Sequence, residues 1–332
     1  MKLIFKILIP IFLILGTAFY FGPKPSYTPV IQSFKNTHVS EIKDLNKYVT
    51  GIESLYGEIK PDNQARIVWA DSTQQTEYSI VYLHGFSASQ GEGAPLHTEF
   101  AKRYGCNLYL PRLSAHGLTD KDAFLKLTPQ SLVESAKDAI EVGKKIGKKV
   151  ILMSCSTGST LAIYLSSNNP NVYAHFMYSP NIDLYDPKSN VLLYPWSKKI
   201  AEMVEGGDYH KWEMPKKAEQ YWYKEYRIEG LIALKYLIKE TMTDDVFKGV
   251  NQPTFLGYYY KNEAECDKTV SVSRMKEFFE KSTTPSSQKL MVAFPEAGTH
   301  IITSPLFSKQ YEDTKLKSYE FAESVLGMKP VL

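Results

Sequence analysis

The stretch Ser154-Cys155-Ser156-Thr157-Gly158 constrains this chain more than any other. It follows the apolar run Val150-Ile151-Leu152-Met153 and precedes an apolar helical pattern that begins near Leu161. A serine at a sharp strand-to-helix turn has its hydroxyl pushed out of the fold, and the next amide and the helix N-terminus face any negative charge that develops beside it. Small residues two before and two after such a serine let the two backbones pass closely. Ser154 and Gly158 hold those positions, so serine stands where G-x-S-x-G has its first glycine. The pentapeptide is weak alone; its place between a strand and a helix gives it weight.

Around it the sequence alternates. Short β-branched or aromatic runs fall at 65–70, 78–84, 107–110, 150–153, 174–178, 254–260 and 290–294, with helical spacing at 95–104, 128–145, 228–238, 272–280 and 308–326. This rhythm predicts an α/β fold, a mainly parallel twisted sheet with helices on both faces. In such sheets ligands bind outside the carboxyl ends of the strands, where Ser156 falls. The interval 182–226 breaks the rhythm and is rich in Tyr and Trp, including Tyr185, Trp196, Trp212, Trp222 and Tyr226. It reads as an inserted cap whose aromatic residues form a small core of their own or line an apolar channel. The expected organisation is an N-terminal segment at 1–25, a linker and extension at 26–60, and one catalytic domain at 61–332 carrying the insertion.

The 332 residues, 43% of them hydrophobic, suffice for a substantial core, and a net charge of +3 gives no basis for binding nucleic acid. Cys106, Cys155 and Cys266 form no C-x-x-C pair, so neither a disulfide scaffold nor a metal site is expected. Cys155 reads as a small buried side chain rather than a nucleophile. Lys2 and Lys6 precede an apolar run from Ile7 to Phe21 that ends at Gly22-Pro23-Lys24-Pro25. That arrangement predicts an uncleaved membrane anchor with the catalytic domain exported, or, alternatively, secretion after signal cleavage.

A serine hydroxyl needs a base to take its proton, and the base needs a third group to fix its tautomer. Asp267 follows the run ending at Tyr260, and His300 follows the run ending at Phe294, so both are expected at the sheet edge that carries Ser156. Glu263 and Glu265 compete with Asp267 in the same loop; Asp267 is favoured because the backbone before a helix can hold it. For the oxyanion, the amide of Thr157 and that of Phe86, in the turn His84-Gly85-Phe86, are the expected donors. His84 is expected to hydrogen-bond within its loop, and Arg112 with His116-Gly117 to form a structural turn.

Tyr82-Leu83-His84-Gly85-Phe86, Arg112-Leu113-Ser114-Ala115-His116-Gly117, the Ser156 turn, Asp267 and Gly298-Thr299-His300 together resemble the α/β-hydrolases, in the branch of monoglyceride lipases, carboxylesterases and serine aminopeptidase-like proteins. The resemblance spans about residues 65–326. It implies a Ser156 nucleophile, an Asp267 acid, a His300 base, an oxyanion hole from the Phe86 and Thr157 amides, and a cap after the strand that follows the nucleophile. The expected activity is cleavage of carboxylic acyl esters, including monoacylglycerol or lysolipid, with no cofactor, no metal and no obligate protein partner. Two alternatives stay open. One is a serine aminopeptidase or amidase, with Glu202, Glu205, Glu213 or Glu219 holding the substrate ammonium. The other is a non-catalytic lipid-binding protein on the same scaffold.

Overall fold

The computed structural model describes residues 9–10, 13–14, 16–34 and 38–331. Its strands are β1 (Arg66–Val68), β2 (Thr76–Leu83), β3 (Asn107–Leu110), β4 (Gly147–Cys155), β5 (Val172–Tyr178), β6 (Tyr209–Lys211), β7 (Glu225–Arg227), β8 (Thr254–Tyr258) and β9 (Lys289–Ala293). The named helices are α1 (Leu45–Glu53), α2 (Leu96–Arg103), α3 (Pro129–Ile146), α4 (Thr157–Ser166), α5 (Ser197–Glu205), α6 (Ile228–Thr241), α7 (Asp244–Lys248), α8 (Val272–Lys281) and α9 (Tyr311–Ser324).

Seven strands form one sheet in the order β1-β3-β2-β4-β5-β8-β9. Only the edge strand β1 pairs antiparallel; the other neighbours run parallel. The strand interiors show why both faces must be covered. Successive side chains of a strand point to opposite faces. Val81, Leu83, Val150, Leu152, Met177 and Leu256 enter one apolar cluster, while Ile80, Tyr82, Ile151, Met153, Phe176 and Phe255 enter the other. Neither face is polar, so neither can be left to water. Helix α3 opens with a capping box: the Thr128 hydroxyl accepts from the Ser131 N–H, the Ser131 hydroxyl reaches back, and Pro129 starts the first turn. All ten residues of α4 are buried, which explains its weak amphipathic pattern in the sequence.

The interval 182–226, expected to be an insertion, carries α5, β6 and the start of β7, and β6 and β7 form a separate two-stranded antiparallel sheet. Tyr223 ties it to the main sheet, since its N–H donates to the Ser87 carbonyl at 2.8 Å and its hydroxyl to the Ala115 carbonyl at 2.9 Å.

The membrane anchor expected at residues 1–25, with its exported catalytic domain, requires correction. Among the described residues no helix is long and apolar enough to cross a membrane. A span needs about 20 consecutive apolar helical residues, and the described helical residues here stop at Tyr20, followed by a turn, Gly22 and Pro23. Residues 1–8, 11, 12 and 15, part of the apolar run, lie outside the described residues. From Ala18, near the end of that run, the chain lies along the body. The Trp196 indole donates to the Ala18 carbonyl at 3.1 Å, Tyr236 to that of Pro25 at 2.9 Å, and Gln32 to the carbonyls of Tyr164 and Ser167 at 2.7 and 2.8 Å.

Candidate active site

Ser156 joins β4 to α4 with φ 49° and ψ −118°, in the left-handed half of backbone space that non-glycine residues rarely occupy. The strain is held from several sides. The Ser156 N–H donates to the Tyr178 carbonyl at 3.0 Å, and its carbonyl accepts from Ser159 at 2.9 Å and Asn181 at 3.1 Å. The buried hydroxyls of Ser154 and Ser159 bond to each other at 2.9 Å, so the turn accommodates serine at the first small position with its polar atom satisfied. Gly158 has no such latitude. A Cβ there would lie 1.9 Å from the Leu83 carbonyl oxygen. Gly158→Ala is therefore expected to lower the unfolding free energy by about 1–3 kcal/mol, read as a shift in the urea midpoint at unchanged slope.

Asp267 and His300 come from the loops after β8 and β9. His300 Nδ1 lies 2.6 Å from Asp267 Oδ2. The other oxygen of Asp267 accepts the N–H groups of Thr269 at 2.8 Å and Val270 at 3.2 Å. The carboxylate is held by its own loop, not by a helix terminus. Helix α8 starts only at Val272, capped by Ser271, so the backbone that holds Asp267 at Thr269 and Val270 belongs to the loop and not, as expected, to a helix start. Glu263 accepts the Tyr260 hydroxyl instead, and Glu265 is exposed and takes the Asn262 amide. Burial pushes the His300 imidazolium down, but the charge of Asp267, its hydrogen bond and the charge of Glu92 outweigh this and hold the pKa above the ordinary histidine value. The Ser179 hydroxyl anchors the His300 carbonyl at 2.7 Å. His300 Nε2 is buried and makes no hydrogen bond to another described protein group.

Ser156, Thr157, Phe86 and His300 line one cavity of about 620 Å³. Asp267 lies behind His300 and is 1% exposed. Among the described residues, the backbone N–H groups of Phe86 and Thr157 donate to no protein acceptor. Much of the remaining wall is apolar: Leu184, Trp212, Trp222, Tyr226, Leu231, Leu234 and Phe307. Several of these aromatic residues come from the insertion.

The turn after β2 that carries Phe86 is fixed by buried groups. His84 Nδ1 lies 3.0 Å from the Gly85 carbonyl, and its Nε2 accepts the Leu113 N–H at 3.0 Å. One nitrogen must donate and the other accept, which defines a neutral tautomer, and burial pushes the pKa down to about 4. Arg112 is structural in the same sense, paired with Glu53 at 2.9 Å and donating to the His116 carbonyl at 2.9 Å. Cys155 is fully buried and its thiol is pushed well up by burial, so it stays protonated and unreactive. Among the cavity-lining groups that escaped the sequence is Glu92, a buried carboxyl hidden in the polar, glycine-rich segment Ser89–Gly93.

Sheet order, the antiparallel edge strand and the strand–serine–helix turn define the α/β-hydrolase fold, and solved structures agree. A metagenome-derived lipolytic enzyme from work on LipS and LipT is 16% identical over 80% of this chain and 98% of its own, with a TM-score of 0.63. The monoacylglycerol lipase of Paleococcus ferrophilus is 14% identical over 77% of this chain and 96% of its own, with a TM-score of 0.57. Est1E of Butyrivibrio proteoclasticus, solved with ferulic acid bound, is 12% identical over 82% of this chain and its whole length, with a TM-score of 0.56. No family model and no curated protein sequence matches the chain. At these identities the likeness establishes the fold; the chemistry must be argued from the site.

Proposed function

We propose that this protein is a serine hydrolase that cleaves carboxylic esters through an acyl-enzyme on Ser156. The observation that carries the reading is the 2.6 Å contact between His300 Nδ1 and Asp267, with Ser156 and His300 on the wall of one cavity. In this mechanism the Ser156 hydroxyl attacks the ester carbonyl while His300 Nε2 takes its proton. Asp267 stabilises the imidazolium, and the free N–H groups of Phe86 and Thr157 receive the oxyanion. His300 returns the proton to the departing alcohol, and water then releases the acid along the same path.

The insertion at 182–226 serves as a cap whose aromatic wall holds an apolar acyl group. That the solved structures of this fold include a monoacylglycerol lipase and other lipolytic enzymes supports a single-chain acyl ester, monoacylglycerol or lysolipid, as substrate. The four glutamates named for the aminopeptidase alternative narrow to one. Glu213 lines the cavity, whereas Glu202 pairs with Lys199, Glu205 with His210 and Glu219 with Lys224. The wild-type chain is assayed against p-nitrophenyl acyl esters of increasing length and against aminoacyl-naphthylamides. Turnover of the esters with little amide cleavage is expected. Preference for the aminoacyl-naphthylamides, lost in Glu213→Gln, would install the aminopeptidase reading instead.

A further inference from the structure

Glu92 has no part in the chemistry above, yet the residue is only 2% exposed and borders the cavity that holds Ser156 and His300. Its Oε2 accepts two hydrogen bonds, from the Tyr82 phenol at 3.0 Å and from the Gly85 N–H at 2.7 Å. Gly85 directly precedes Phe86. A Cβ on Gly85 would lie 2.5 Å from Glu92 Oε1 and 3.2 Å from the Ser156 Cβ, so carboxyl, turn and serine pack in succession with no room for an added atom. The Thr303 hydroxyl donates to the Glu92 carbonyl at 3.0 Å, joining this segment to the chain just after His300. An ionisable group in such a place is costly to bury, and a neutral side chain of the same shape would avoid the cost.

We propose that Glu92 is a positioning residue of the ester-cleaving site: by holding the Gly85 N–H it clamps the His84–Gly85 peptide, one residue before the Phe86 N–H, and so fixes the turn that presents that N–H to the cavity, and it places a second carboxyl, after Asp267, on the cavity wall that carries the His300 imidazole. The proposal rests on the Ser156–His300 reading above. Its electrostatic half has a definite sign. The titratable groups about the Glu92 carboxyl are Tyr82 from β2, which donates to it, His300 from the loop after β9, which lines the same cavity, and Cys155 from the end of β4, whose thiol the Glu92 charge reaches, with His97 of α2 against the Tyr82 ring. Burial pushes the Tyr82 phenol and the Cys155 thiol up and the His97 imidazole down to about 4, so all three stay neutral near pH 7. Glu92 itself is pushed up to about 7 by burial, against the Gly85 and Tyr82 hydrogen bonds and the charge of His300. Glu92 thus gains its charge near neutral pH beside an imidazole whose own pKa is held up, with Asp267 facing His300 from its own loop. An ionised Glu92 favours the imidazolium, so His300 becomes a free base at higher pH than it would beside a neutral group.

The test measures the rate of fluorophosphonate labelling at Ser156 from pH 5 to 9 on the full chain, a readout independent of the natural ester. In Glu92→Gln the ascending limb is expected to move to lower pH by about half a unit or more, the size of a modest charge effect on a neighbouring group. The plateau rate should fall by roughly tenfold as the turn that presents the Phe86 N–H loosens, less than outright loss of an oxyanion donor. Tyr82→Phe removes one hydrogen bond to Glu92, keeps that carboxyl protonated to higher pH, and should move the limb the same way by less. It carries the test if Glu92→Gln does not fold. A slower variant whose limb coincides with that of wild type would overturn the proposal, since a merely structural side chain moves the plateau alone. Absence of labelling at Ser156 in wild type would overturn the ester-cleaving reading itself, and the role of Glu92 with it.

Discussion

Ser156→Ala is expected to lower kcat/KM for p-nitrophenyl butyrate by about 10⁴-fold or more, with the melting temperature nearly unchanged. The hydroxyl is the only group removed, and it makes no hydrogen bond that holds the turn. The turn is held by backbone contacts to Tyr178, Ser159 and Asn181, all of which alanine keeps. What survives is the binding cavity and the two free amides, which alone give a small fraction of the rate. The neighbouring Cys155 cannot substitute, because its thiol is buried and protonated. Activity within tenfold of wild type would remove Ser156 from the mechanism.

Asp267→Asn should be nearly as damaging, about 10⁴-fold in kcat, through the tautomer of His300. Oδ1 of Asp267 takes the Thr269 and Val270 N–H groups, so an asparagine must place its carbonyl oxygen there. Its amide then faces His300 Nδ1 and donates to it. The imidazole proton is forced onto Nε2, the atom that has to accept from the serine. The pH profile should move as well. Burial pushes the His300 pKa down and the Asp267 charge is the largest influence opposing it. Without that charge, the residual activity should rise at lower pH than in wild type. Kinetics of the variant across pH 5–9 measure both effects; a wild-type rate would mean that the hydrogen bond between these residues is only structural.

What the sequence disclosed follows from how local the signals are. The strand–helix alternation is a property of short runs, and that rhythm foretold a mainly parallel sheet covered on both faces. Ser156 directly follows a strand, Asp267 and His300 lie in the loops that follow two others, and in a parallel sheet this puts all three toward one edge. Other features depend on contacts far apart in the chain. Arg112 is closed by Glu53, 59 positions earlier, which no local pattern marks. Glu92 reads as a solvated acid among Ser, Gln and Gly until Tyr82 and Gly85 fold against it. The three-residue strands β6 and β7 are too short to show a period, and within the insertion Tyr and Trp obscure what alternation there is. At the N-terminus, hydropathy alone suggested a membrane span. The described chain instead turns at Gly22-Pro23 and follows the body, held by Trp196, Tyr236 and Gln32.

The claim on which the rest stands is that Ser156 becomes acylated during turnover. Wild type mixed with excess p-nitrophenyl butyrate, quenched in acid within the first turnovers and digested, should yield a butyryl group on the peptide containing Ser156, and Ser156→Ala should yield none. Continued ester turnover with no acyl group on that peptide, or with the acyl group on another residue, would contradict the account.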